Sequence, residues 1–325
     1  MAGIIAAHHH DENAARLYLE AKLWPDGPVC PKCGLIGEAY KLEGETTRKG
    51  LWKCSGCRQP FTVTMGTIFE DSHIPLHKWL FAIYLMCSSK KGMSAHQLWR
   101  NLWGVDETGK QLGSYKTAWF MAHRIRWALG QEPIASKLEG IVEIDEVYIG
   151  GKGHFGPSKD AQGRSLMMGR SRKSHKAPVV AMLQRGGGVH SRHIERVTSE
   201  NLKPMLNEVV DQNATLMTDK ACALKFPSKE RTHYSVNHSA KEYVRHEDGL
   251  TITTNTIESY FAIIQRGIHG VYHHVGKPYL DQYLREFDFR YNVRKMNDHE
   301  RNLLAIQKTS GKRLTMREPK SAKKS

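Results

Sequence analysis

The chain has 325 residues, room for about two domains with cores of their own. Hydrophobic residues make up 40% and charged residues 25%, the composition of a soluble globular protein and not of a disordered or fibrous one. Lys and Arg number 48 against 33 Asp and Glu, and the resulting +15 points to a polyanionic partner, nucleic acid before an acidic membrane surface.

The opening MAGIIAAHHHDE has no basic segment before its short apolar run, so it does not read as a signal peptide. No apolar stretch approaches the roughly 18 residues of a spanning helix, and no membrane partner is expected. The run His8 to His10 suggests no role by itself. Residues 11–24 predict a short helix with Asp11 as its N-cap.

Residues 28–65 are punctuated by Gly and Cys between short Thr, Val and Trp runs, which predicts a small β ribbon. Four of the six cysteines form two pairs, Cys30-Pro-Lys-Cys33 and Cys54-Ser-Gly-Cys57. Each CxxC turn brings two thiolates to one metal, and two turns complete a tetrahedron. Such a site has no open position, so the zinc it predicts is structural. The pairs favour metal in a reducing compartment over disulfides. Cys87 and Cys222 stand alone and read as small buried thiols.

Three helices are predicted between 76 and 129, with Ser94 and Ser114 as N-caps of the second and third. The third carries Lys116, His123, Arg124 and Arg126 beside Trp119, Phe120 and Trp127. It suits either a helix-turn-helix, with Lys116, Arg124 and Arg126 facing DNA, or a helical hairpin with a solvated charged face.

From 141 the pattern changes to strands interleaved with helices, a mixed α/β arrangement. IVEIDEVYIGG is a strand. Residues 152–176 form a Gly-, Ser-, Lys- and Arg-rich loop, in which Arg172 and Lys173 are candidate phosphate contacts. APVVAMLQ and VHSRHIERV flank Gly186 to Gly188 as a hairpin. Residues 199–211 predict a helix, ATLMTD a buried strand, and TNTIESYFAIIQRGI and PYLDQYLREFDFRYNVRK two amphipathic helices. The last eighteen residues read as a basic disordered tail.

Asp145 is the most informative residue. It lies mid-strand between Val142, Ile144, Val147 and Ile149, where a carboxylate is costly unless paired or bound to metal. Glu143 shares its face of the strand, as a supporting group or a bystander, and Glu146 faces the other way. Asp219 ends the ATLMTD strand, as a site residue or a turn residue. Glu258 follows Asn255 by three, a spacing that puts both on one helix face but also spells a capping box. Two Asp and one Glu suit two Mg²⁺ ions for in-line phosphodiester displacement. The chain has no Walker A motif.

Taken together, these residues resemble insertion-sequence transposases of the zinc-ribbon DDE type, the ISXO-two-like group of the IS-fifteen-ninety-five superfamily. The resemblance runs over almost the whole chain: WPDGPVCPKCG, the second knuckle, SYKTAWFMAHRIR, EIDEVYIGGK, MTDK, VNHSAKEYV, TNTIES, GIHGVYHHV and YLREFDFRYNVRK. It implies an RNase H-like catalytic domain over 137–307, preceded by a zinc ribbon within 1–68 and a helix-turn-helix unit over 69–136, with the tail at 308–325. It implies a DD(N)E site of Asp145, Asp219, Asn255 and Glu258, with His238 of VNHSAKEYV nearby. Mg²⁺, for which Mn²⁺ may substitute, would be the catalytic cofactor and Zn²⁺ the structural one.

The implied reaction is cutting at the element's terminal inverted repeats by water, then attack of the freed 3′-OH on target DNA, in a homodimer or larger assembly on the prokaryotic nucleoid. Tyr260 departs from the usual Phe or Trp of the family, and Gln265 from a common Lys. Rival readings are a catalytically inactive transposase-derived DNA-binding regulator, a tyrosine recombinase built on His123, Arg126 and Tyr291, and a stand-alone RNase H-like nuclease.

Overall fold

The computed structural model describes residues 6–130, 136–150, 158–159, 165–166, 176–220, 231–247 and 249–311. The chain divides into two compact units, one of Met1–Gly130 with Val293–Ser325 and the other of Gln131–Asn292. No helix among the described residues is long and apolar enough to cross a membrane.

The first unit begins with α1 (Glu12–Leu23), whose N-cap Asp11 accepts a hydrogen bond from the Ala14 amide at 2.6 Å, as expected from the sequence. The ribbon follows as a three-stranded antiparallel sheet of β1 (Ala39–Lys41), β2 (Trp52–Cys54) and β3 (Pro60–Phe61). Trp24 packs edge-on against Trp52 and Phe61, at 6.0 and 5.7 Å between centroids, and this small aromatic cluster joins α1 to the sheet. Next comes α2 (Leu76–Ser88), which buries seven of its thirteen residues and packs on α1. Pro75 cannot cap α2 with a side chain. Glu12 does so from α1, accepting from the amides of Leu76 and His77 at 2.9 and 3.2 Å.

Of His8 to His10, unassigned by sequence, His9 belongs to this core, buried beside Phe81 and Tyr84, while half-buried His8 stacks on Tyr18 at 3.8 Å and His10 is exposed. The unit continues with α3 (Ala95–Trp103), capped by Ser94, and α4 (Tyr115–Leu129). Ser114 occupies the N-cap position of α4 without a side-chain hydrogen bond. Gly113 precedes it at φ +69°, and a side chain there would run into the Trp103 ring, with only 2.5 Å available.

In the second unit, β4 (Ile141–Ile149) is the centre of a five-stranded sheet. It is joined by β7 (Ala177–Gln184), β8 (Val189–His193), β9 (Thr215–Asp219) and β10 (His233–Val236) in the order β8-β7-β4-β9-β10. The first three strands are antiparallel neighbours, and β9 and β10 run parallel to β4, the mixed sheet of an RNase H-like domain. Gly186 supplies the +76° φ of the expected hairpin between β7 and β8. A two-residue ladder of β5 (Ser158–Lys159) and β6 (Ser165–Leu166) lies within the expected basic loop. Arg172 and Lys173 fall outside the described residues.

The strand alternation sorts the core onto two faces. Val142, Ile144, Val180 and Met182 pack with α5 (Ser199–Val209). Val179, Ala181 and Leu183 pack on the other side with α6 (Asn255–Gly267) and α7 (Leu280–Asn292). A short hairpin of β11 (Val244–Glu247) and β12 (Leu250–Thr253) leads into α6.

The exposed edge of β8 is closed by a helix instead of a sixth strand. Asp281, Asp288 and Asn292 on one face of α7 accept from the amides of His193, Ser191 and Val189 at 2.7–2.8 Å. These are the alternate, outward N–H groups that an edge strand otherwise offers to another chain. Tyr260 of α6 donates its hydroxyl to the same Asp288 carboxylate, which gives the departure from Phe or Trp a structural use.

Two boundary expectations are corrected. Residues 298–307 form α8 (Asp298–Gln307), which packs on α2 and α1 in the first unit and not with the catalytic half. Lys308–Gly311 is also ordered rather than tail: Ile68 N–H donates to the Thr309 carbonyl and Gly311 N–H to the Gly66 carbonyl.

Candidate active site

Asp145 sits on the face of β4 that looks toward α6. Its neighbour β9 is parallel and pairs Thr218 with Ile144, so Asp145 and Asp219 are the next residues on adjacent strands and leave the sheet side by side. Glu258 comes from the first turn of α6. Burial pushes the Asp145 carboxyl up to about 7, and the charges of Glu146, Glu258 and Asp219 push it the same way. The Glu146 amide, at 2.8 Å from Oδ1, opposes them. Among the described residues no cationic side chain is paired with Asp145. Asp145 thus sits in the negative field of Asp219 and Glu258 with no cation paired to it among the described residues, although the three carboxylates are not drawn together there as a preformed ligand cluster. Their hard oxygen donors suit divalent Mg²⁺ or Mn²⁺.

Glu258 is 44% exposed at its side chain and is held from two sides. Thr254 donates its hydroxyl to Oε1 at 3.2 Å, and His238 Nε2 lies 3.5 Å from the same oxygen and 3.3 Å from the Thr254 hydroxyl. His238 is held in turn by its loop. Asn237 accepts from the Ala240 amide, Glu242 accepts from the Asn237 amide, and Arg245 pairs with Glu242 at 3.0 Å. Asn255 is the exposed first residue of α6. The capping-box alternative does not hold: the N-cap is Thr254, and the Glu258 amide donates to the Thr254 carbonyl.

The capping of α6 comes from farther away. Glu143, completely buried, accepts from the Ile257 amide at 2.9 Å through Oε2 and from the Thr256 hydroxyl at 2.9 Å through Oε1. Arg185 meets its charge, with Nε and Nη2 at 3.0 and 2.9 Å from Oε1. Arg185 also donates to the carbonyls of Thr251 and Thr253. The sequence signal for Glu143 was its shared face with Asp145. Nothing in the sequence pointed to Arg185 or Thr256.

The four ribbon cysteines converge as expected. Cys30 and Cys57 sulfurs are 3.6 Å apart, as are those of Cys33 and Cys54, and all four lie within 4.8 Å of one another. Thiolates about 2.3 Å from a central zinc stand about 3.8 Å apart in a tetrahedron, so the cluster fits Zn²⁺ closely. Both knuckles close alike: the Gly34 amide donates to the Cys30 carbonyl and the Arg58 amide to that of Cys54, each from a residue at positive φ.

The candidate DNA-reading helix differs most from expectation. Residues 121–126 of α4 are buried on every side. Arg124 lies over the Trp79 and Phe120 rings at 5.5 and 5.7 Å and donates to the Glu70 carbonyl. Arg126 is also buried, and burial holds the His123 ring down to about 3. Arg124 and Arg126 therefore cannot form a groove-facing basic side. Lys116 lies at the exposed start of α4.

Residues 137–292 match the model of the ISXO2-like transposase domain, and residues 10–60 match that of the transposase zinc-ribbon domain. These two regions are the zinc-ribbon and transposase domains of the ISXO2-like transposase family. A protein of Halobacterium salinarum described as an uncharacterized protein in transposable element ISH50 is 29% identical over 294 residues, spanning 87% of this chain and 91% of that one. The transposase-domain match ends at the same residue as the second compact unit, Asn292.

Proposed function

We propose that this transposase cuts the ends of its element and joins them to target DNA at Asp145, Asp219 and Glu258, which would hold two Mg²⁺ ions. The observation that carries this reading is the placement of Asp145 and Asp219 next to each other on parallel neighbouring strands, with Glu258 near enough to act on the Asp145 charge and no cation paired to Asp145 among the described residues. When bound, such ions activate the attacking oxygen and stabilise the leaving one. The remaining work falls to the chain itself. Asp145 and Asp219 fix their side of the site on two strands of a packed sheet. Thr254 and His238 hold the Glu258 carboxylate against rotation, and exposed Asn255 stands one turn from it, open to DNA.

The four cysteines would bind Zn²⁺ and so hold the ribbon's fold. The +15 charge would supply phosphate contacts, with Lys116 among them. Recognition of two terminal inverted repeats at once calls for at least two copies of the chain on the DNA.

The test is Mg²⁺-dependent nicking and strand joining on a linear duplex that carries the element's ends. Cleavage followed by joined products is expected. Binding without cleavage at any Mg²⁺ or Mn²⁺ concentration would leave an inactive DNA-binding descendant. Cleavage through a covalent phosphotyrosine would transfer the chemistry to a recombinase mechanism.

A further inference from the structure

Glu143 and Asp145 sit on the same face of β4, two residues or about 6.7 Å of strand apart. The two oxygens of Glu143 are taken within the protein, one by Arg185 and Thr256 and the other by the Ile257 amide. That leaves Glu143 poorly suited to bind a metal. It also makes Glu143 the direct link between Asp145's strand and Glu258's helix, because Ile257 immediately precedes Glu258. The helix has no side-chain cap of its own, and its N-terminal amides attract an anion. Arg185 secures the carboxylate from behind, and its bonds to the Thr251 and Thr253 carbonyls tie the approach to α6 into the same clamp.

We propose that Glu143 is a positioning residue that sets the spacing between Asp145 and Glu258, and with it the affinity of the site for divalent cations. This rests on the metal-dependent reading above. A clamp of this kind predicts a loss of metal affinity that excess metal overcomes, whereas a purely structural role predicts a less stable protein with unchanged metal affinity.

Glu143→Gln keeps the shape but replaces one acceptor oxygen by a donor that conflicts with Arg185, Thr256 or the Ile257 amide. In the full chain without metal, amide hydrogen exchange at Ile257 should rise at least about tenfold, with the sheet amides unchanged. Mn²⁺ binding, followed by electron paramagnetic resonance, should weaken about 10- to 100-fold, the range of supporting-group substitutions at metal sites. The Mg²⁺ needed for half-maximal cleavage should rise in step, with most of the rate recovered at saturation and DNA binding unchanged.

Thr256→Val removes one donor and keeps the Arg185 pair. It should weaken Mn²⁺ binding a few-fold, and it serves as the test if Glu143→Gln does not fold. Wild-type Mn²⁺ affinity in a folded variant would overturn the proposal. A wild type that neither binds Mn²⁺ nor cleaves would remove the metal-dependent reading instead, and the Ile257 exchange would still decide whether the clamp exists.

Discussion

Glu143 and Asp145 are two residues apart on one strand and face the same helix, yet their charges are met in opposite ways. Glu143 is fully buried and fully answered, with Arg185 for its charge and α6 for its lone pairs. Asp145 has its carboxyl raised chiefly by burial, and the charges of Glu146, Glu258 and Asp219 act in the same direction. Glu143 is completely buried and Asp145 only partly so, yet it is the more buried carboxylate whose charge is answered by a cation. Glu143 is answered by the protein's own side chains, and Asp145, on the reading proposed above, would be answered by an ion. The same division runs within the first unit: the ribbon gathers four thiols suited to a metal, while Glu12 caps α2 from α1 entirely within the protein.

The largest effect should come from the ion-dependent side. Chelating the ribbon metal removes about 10 kcal/mol or more of folding free energy from a segment with almost no core, so the three-stranded sheet should be lost. Circular dichroism and exchange at residues 39–61 would record this, and a ribbon that keeps its protection in chelator would remove zinc from the account. Next, Asp145→Asn should lower cleavage by about a thousandfold, the several kcal/mol that a metal ligand contributes to the transition state. The same substitution should raise the melting temperature of the metal-free protein by about 2–4 °C per kcal/mol of repulsion relieved.

Glu143→Gln should act with the opposite sign on stability. It should lower the same melting temperature, at a cost of about 1–3 kcal/mol. This is less than for a fully buried pair, because the Arg185 side chain is 27% exposed. If both variants shift stability in one direction, the contrast between the two carboxylates fails.

The smallest effects concern protonation. Burial raises Asp288 from 3.8 to about 7, so its contribution to stability is complete below its ordinary value and is lost as pH rises through 7. His123 runs the other way. Burial depresses it from 6.5 to about 3, so the stability it contributes is present above 6.5 and is lost as pH falls toward 3. Neither slope exceeds about 1.4 kcal/mol per pH unit. Urea titrations of Asp288→Asn and His123→Gln across pH 4.5–8 should each flatten one limb of the profile, and a profile unchanged in either variant would assign that limb to other groups.

The sequence made the capped and punctuated elements legible. Asp11 and Ser94 cap the helices assigned to them, Gly186 turns the hairpin, and the CxxC pairs meet. Asp145 stood out because an unpaired carboxylate in an apolar strand has few structural uses. What was not legible depends on packing between distant segments. Helical periodicity shows which residues share a face but not whether that face meets solvent, so Arg124 and Arg126 read as basic surface on the stretch of α4 that is buried all round. Chain order placed α8 with the catalytic half, whereas it folds back onto α1 and α2. The strands between 233 and 253 are four residues each and rich in His, Thr and Arg, too short to show a period. The Asn255-x-x-Glu258 spacing resembled a cap because the true cap, Glu143, is more than a hundred residues away.

The most direct test of the account is Mn²⁺ titration of the wild type, Asp145→Asn and Asp219→Asn in the absence of DNA, read by electron paramagnetic resonance. Saturable binding by the wild type is expected, with its loss in both variants while their folds persist. Equal binding by Asp145→Asn would contradict it, because the charge left unmet at the centre of the sheet would then not be the charge that holds the ion.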